Sequence, residues 1–127
     1  MAYIKGRHAL VIEDEMLIAL EIEHQLEELG FSTIDVADTP QGALASATAH
    51  PPDLITADMR IIGGTGVEAV EAITRALGPV PVVFITGNRE LLPARDAQVV
   101  IDKPMGPQDL ARAYRRLYPD EAVSASR

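Results

Sequence analysis

Apolar positions follow two rhythms along this chain, and the rhythms alternate. Residues 9–12, A-L-V-I, form a continuous apolar run within Arg7–Ile12, too short for a helix and rich in strand formers. From Glu15 to Leu29 the period lengthens. Ile18, Ile22, Leu26 and Leu29 fall on one helical face, and Gly30 is placed to end the helix. S-T-I-D-V-A (32–37) then alternates as a strand, and Thr39-Pro40 opens an Ala-rich helix that His50-Pro51-Pro52 stops after Ala49. D-L-I-T-A-D (53–58) reads as a third strand, ending in an acid. The Gly-rich turn G-G-T-G (63–66) leads into a helix through about Ala76. P-V-P-V-V-F-I-T (79–86) is almost wholly apolar, as a central strand covered on both faces must be. A-Q-V-V-I (97–101) supplies the last strand, and Leu110, Ala113, Tyr114 and Leu117 mark one face of a closing helix.

Strand and helix thus alternate with short connections. The predicted fold is α/β, a doubly wound, five-stranded parallel sheet with right-handed crossovers and helices on both faces. One repeat is short of room. Sixteen residues separate Thr86 from Lys103, and the last strand takes about five of them. Pro93 would remove a helical hydrogen bond and bias Leu92 away from helix. The fourth helix is therefore expected to be short or irregular, with at most a turn or two in residues 87–96, and that segment is expected to be the most mobile.

A chain of 127 residues, 47% hydrophobic and 24% charged, has ordinary globular composition. It is expected to form a single domain over 1–127, with a core of about 6–118 and a frayed tail at 119–127. Without cysteine there is neither a disulfide framework nor a thiolate metal site. No secretion-type leader or membrane-length apolar run is present in the sequence, so a cytoplasmic protein without membrane contact is expected. A net charge of −8 disfavours nucleic acid, whose phosphates it would repel.

In sheets of this kind ligands bind beyond the carboxyl ends of the strands. Those ends carry Glu13 and Asp14, Asp58, Thr86 and Lys103. Alone, Glu13–Glu15 could be first-turn acids that favour a helix dipole. Beside Asp58 and Lys103 they read better as a site. Clustered carboxylates need a cation, and oxygen ligands without His or Cys favour Mg²⁺. Acids, Mg²⁺, a lysine and a hydroxyl suit phosphoryl transfer, in which a carboxylate can be the nucleophile. G-G-T-G lacks the Lys-Ser/Thr ending of a phosphate-binding P-loop and reads as a tight turn. His8, His24 and His50 share no metal-ligand spacing and are expected on the surface. Arg112, Arg115 and Arg116 suit the end of the last helix, as a solvated face or a partner contact.

The blocks L-V-I-E-D-E, D-L-I-T-A-D-M-R, V-V-F-I-T-G-N and V-I-D-K-P, in this order, resemble the signature blocks of the response-regulator receiver domain over roughly residues 6–118. The resemblance implies the flavodoxin-like (βα)5 fold. It implies that Asp58 is the phosphoacceptor and that Mg²⁺ is held by Asp14, Asp58, Glu13 and the backbone carbonyl of Arg60. Thr86 and Gly87 would meet the phosphoryl group and Lys103 would pair with it, before a Lys103-Pro104 bond that is often cis. It further implies a histidine kinase or phosphotransfer protein as phosphodonor, a downstream partner, a monomer or weak dimer, and no enzymatic activity beyond self-phosphorylation and dephosphorylation. F-I-T-G (84–87) is similar to the F-A-T-G block of receivers in general stress signalling, commonly served by kinases of the HWE and HisKA_2 types.

Three positions depart from the family pattern. Glu13 replaces a more usual Asp, Met105 a common Phe, and Val100 the switch aromatic, so coupling of hydroxyl movement to aromatic rotation cannot operate. Ordering of residues 87–96 around a phosphorylated Asp58 is the expected output instead. The sequence carries no output domain after the last helix, so a stand-alone receiver read by a separate partner, or a phosphate sink, is expected. The alternative is a phosphorylation-independent interaction module of the same fold. A hydrolase of the aspartyl-phosphate type ranks last, because Arg60 stands where it would need a second acid.

Overall fold

The structure is a computed structural model that describes residues 7–87, 89–91 and 99–119. Five strands form one parallel sheet: β1 (His8–Ile12), β2 (Thr33–Ala37), β3 (Leu54–Ala57), β6 (Val82–Thr86) and β7 (Val100–Asp102). Their order is β2-β1-β3-β6-β7, with every neighbouring pair parallel. Helices α1 (Met16–Glu28), α2 (Pro40–Ala49), α3 (Gly66–Leu77) and α4 (Asp109–Leu117) cover it. A two-residue-per-strand hairpin, β4 (Arg60–Ile61) with β5 (Gly64–Thr65), sits between β3 and α3.

Strand alternation sorts the apolar side chains into two cores. Ala9 and Val11 of β1 pack with Leu54, Val83, Ile85 and Ile101 against Ala19, Ile22 and Leu26 of α1 and Leu110, Ala113 and Tyr114 of α4. Leu10 and Ile12 face the other way, joining Ile55, Ala57 and Phe84 under Ala43 and Ala47 of α2 and Ala69 and Ile73 of α3. The expected faces of the first and last helices are thus the buried ones. Thr39 caps α2, its hydroxyl accepting the Gly42 N–H at 2.9 Å with Pro40 in the first turn.

The differences from expectation have local causes. β6 starts at Val82 rather than Pro79, since Pro79 and Pro81 have no N–H to give a ladder; the Pro81 carbonyl accepts from Ile55 instead. β7 begins at Val100 and extends one residue beyond the expected end, to Asp102. Residues 97–98 lie outside the described residues. The expected tight turn is the tip of the β4–β5 hairpin, where Gly63 takes φ +79°, a value only glycine adopts easily. Between β6 and β7 a single 3-10 turn, Arg89–Leu91, is described, in keeping with a short helix; the remainder of the 87–96 expectation falls at residue 88 and residues 92–96, outside the described residues. His8 contradicts the expectation of a surface residue. It is 3% exposed, because β1 is flanked by β2 and β3 and the ring is covered by His50.

Candidate functional site

Register brings the strand ends level. Ile12 pairs with Ala37 and Ala57, Ala57 with Phe84, and Thr86 with Asp102. The residues that follow, Glu13, Asp58 and Lys103, therefore emerge at one edge. Each is fixed through its main chain: Glu13 N–H donates to Ala37, Asp58 N–H to Ile12, and Lys103 N–H to Thr86, at 2.9–3.0 Å. Oxygens of Glu13, Asp14 and Asp58 lie within 4.8 Å of one another. The Lys103 ammonium donates to Asp58 Oδ2 at 3.1 Å and lies 3.6 Å from Glu13 Oε1. Asp14, Glu15, Asp58, Arg60, Gly87 and Lys103 line an open pocket of about 360 Å³. Thr86 is fully buried at the end of β6, and Val100 is half-buried beside Phe84 in the core. The Lys103–Pro104 bond is cis.

This geometry answers why three acids follow the first strand. α1 starts at Met16 with Glu15 as its N-cap, no side chain caps it, and no acid lies in its first turn. Glu13 turns inward instead and is 2% exposed. Its Oε2 accepts the Glu15 N–H at 3.1 Å, while Oε1 is buried without a hydrogen-bond partner among the described residues. A buried orphan oxygen is costly unless something binds it. With Asp14 and Asp58 it makes an all-oxygen set that fits a hard divalent cation.

Burial, the Asp58 charge and, less strongly, Asp14 push the Glu13 carboxyl up to about 7, against the pull of the Glu15 N–H and Lys103. Burial disfavours the Lys103 charge, but the hydrogen bond and charge of Asp58, with Glu13 and Glu15, outweigh it and hold the ammonium above its usual range. Glu13 ionises near 4.5 when unperturbed, so folding binds a proton between these values. The metal-free protein is therefore expected to lose about 3 kcal/mol from this group as pH rises from about 4.5 to 7. A divalent cation bound to the ionised cluster should restore it. Thermal unfolding with and without Mg²⁺ should show a stabilisation that grows from pH 5 to pH 8; an equal shift at both would exclude Glu13 from the cation site.

Sequence reasoning missed two supports of this edge. The hairpin and α3 are joined by a capping box, Thr65 Oγ1 accepting from Glu68 N–H and the Glu68 carboxylate from Thr65 N–H; T-G-V-E carried that signal in the chain. Arg89 donates to both carboxylate oxygens of Asp102 and to the Val100 carbonyl, at 3.1–3.2 Å, tying the 3-10 turn to β7 at the position without an aromatic. A third omission is apolar. Met16, Leu17 and Leu20 are 76%, 82% and 52% exposed on α1, off the stripe that the helical period picks out.

A parallel sheet of order β2-β1-β3-β6-β7, with an acidic cluster and a lysine at its carboxyl edge, defines a doubly wound α/β domain. The family model for the response regulator receiver domain matches residues 9–115, and the chain belongs to that family. It is 32% identical over 111 residues to the transcriptional regulatory protein PdtaR of Mycobacterium tuberculosis, covering 84% of this chain and 54% of that one. It is 41% identical over 83 residues to the phyllosphere-induced regulator PhyR of Methylorubrum extorquens, covering 64% and 31%. Among solved structures, the receiver domain of Erythrobacter litoralis PhyR superposes with a TM-score of 0.78 at 28% identity, over 89% of this chain and 90% of that one. The response regulator PhyR of Brucella abortus gives 0.80 at 30%, over 94% and 51%. The chain spans about half the length of PdtaR and of the Brucella PhyR, and 31% of the Methylorubrum PhyR. Among the described residues no helix is long and apolar enough to cross a membrane.

Proposed function

We propose that this receiver accepts a phosphoryl group on Asp58 from a phosphohistidine of a histidine kinase or phosphotransfer protein, in the cytoplasm. The observation that carries the reading is the single cluster in which Lys103 Nζ lies 3.1 Å from Asp58 and 3.6 Å from Glu13. A carboxylate oxygen of Asp58 attacks phosphorus, the phosphorus–nitrogen bond breaks, and the donor imidazole keeps the electron pair. Glu13, Asp14, Asp58 and the Arg60 carbonyl would hold Mg²⁺, which supplies neutralisation of the phosphoryl charge. Lys103 exchanges the Asp58 carboxylate for a phosphoryl oxygen. Thr86 and Gly87 meet the group from β6, and the change is read by a partner protein. Hydrolysis by water returns the carboxylate and inorganic phosphate. Incubation with Mg²⁺ and acetyl phosphate, followed by intact mass spectrometry, should show one phosphoryl increment that chelation prevents. Its absence would leave a module that signals by docking alone.

Met16, Leu17 and Leu20 beside the acids offer the donor an apolar contact surface. Leu17→Glu is expected to slow transfer from a phosphohistidine protein at least tenfold and leave acetyl phosphate unaffected. Equal rates from the protein donor would move the contact elsewhere.

A further inference from the structure

A second constellation lies at the opposite edge of the sheet. β1 begins at His8, whose Nδ1 is 2.8 Å from Thr33 Oγ1 and whose Nε2 is 3.1 Å from Asp35 Oδ2. Thr33 stands opposite His8 in the β1–β2 register, and Asp35 follows two residues on, on the same face. The imidazole of His50, at the C-cap of α2, stacks on His8 with centroids 3.4 Å apart and planes within 9°. One ligand atom from each of His8, Asp35 and His50 lies within 4.8 Å of the others. The main chain of His8 is held as well, its N–H donating to Asp53 Oδ2 at 2.8 Å. The length of β1, about 16 Å, separates this cluster from Glu13, and nothing in phosphoryl transfer uses it.

The geometry points to a binding site for a divalent transition metal such as Zn²⁺, with His8, Asp35 and His50 as ligands and an open fourth position on the solvent side of His50. Parallel rings cannot both aim an in-plane lone pair at one ion, so the exposed His50 ring turns out of its stack on His8 to ligate. Zinc bonds of about 2.0–2.2 Å place neighbouring tetrahedral ligand atoms about 3.3 Å apart, close to the 3.1 Å between His8 Nε2 and Asp35 Oδ2. The remaining nitrogen of His8 already faces Thr33. A ligating histidine needs such a partner for its other N–H, and a hydroxyl serves as donor or acceptor by rotating. With the metal on Nε2, the Nδ1–H of His8 donates to Thr33 Oγ1. Histidine nitrogen selects against Mg²⁺, which takes oxygen ligands, so the two edges would hold different cations. The bound ion would clamp the edge strand β2 and the end of α2 to β1.

Untagged protein, saturated with Mg²⁺ to fill the acidic edge, is titrated with Zn²⁺ by calorimetry and followed by imidazole nitrogen NMR. One equivalent should bind, with the His8 and His50 resonances moving and His24 unmoved. His50→Ala and Asp35→Asn, both away from the buried interior, should each weaken binding at least tenfold while the amide spectrum stays folded. His24→Ala should bind as the native protein does. Zinc binding unchanged in His50→Ala and Asp35→Asn, or no binding at all, would overturn the site.

Discussion

Asp58→Asn is expected to abolish the phosphoryl mass increment given by acetyl phosphate and Mg²⁺. Of the clustered acids, Asp58 alone stands at the end of the central strand β3, with its N–H held by Ile12 and a side chain 12% exposed towards the pocket. Glu13 is too deeply buried to meet a donor, and Asp14 sits on the rim of the pocket. Asparagine keeps the shape of Asp58 but offers no carboxylate nucleophile. The substitution also removes the second largest influence raising the Glu13 ionisation, the negative charge of Asp58. The pH at which Glu13 titrates should therefore fall in the variant, a separate readout that the fold is intact. A full mass increment in Asp58→Asn would place the acceptor on another residue and sink the assignment.

Gly66→Ala should damage stability and phosphorylation together. A Cβ at Gly66 would come within van der Waals overlap of the Asp58 carbonyl oxygen, 3.0 Å from its carbon and 3.3 Å from the Ala57 Cβ. These are backbone and core atoms, which cannot swing aside as a flexible side chain can. Gly66 N–H also donates to the Met59 carbonyl at 2.9 Å, so the start of α3 is pinned against the turn that carries Asp58. Overpacking of this kind costs about 1–3 kcal/mol, at times more, or about 4–10 °C in melting temperature for a domain of this size. The yield of phosphorylated protein should fall even well below the melting temperature, since Asp58 must shift. A variant that melts within a degree of the native protein and is phosphorylated normally would show that α3 yields without moving Asp58.

Much of this was legible in the chain because it is periodic or sequential. The 3.6-residue stripe of Ile22 and Leu26, the continuous V-V-F-I of β6 and the stops at Gly30 and Pro51 are local facts, and local facts decide element type. The convergence of Glu13, Asp58 and Lys103 was legible for a different reason: a parallel sheet puts all its strand ends on one edge, so knowing the topology is enough to collect them.

What the sequence could not decide depended on which strands become neighbours and how side chains turn. Nothing local says that Glu13 points inward and Asp14 outward, or that one Glu13 oxygen has no hydrogen bond among the described residues; that follows from β1 lying between β2 and β3. His8 looked like a surface residue because its partners, Thr33, Asp35 and His50, lie 25 to 42 positions away, and only the β1–β2 register and the end of α2 bring them together. The exposed Met16, Leu17 and Leu20 were hidden by the opposite failure, since apolar composition suggests burial and only the packing of α1 shows which face is left to solvent. Periodicity and topology determined this protein's class and the residues of its acidic edge. Their protonation, their burial and the histidine cluster at the far edge were set by long-range packing, where a residue's environment is made by others far along the chain.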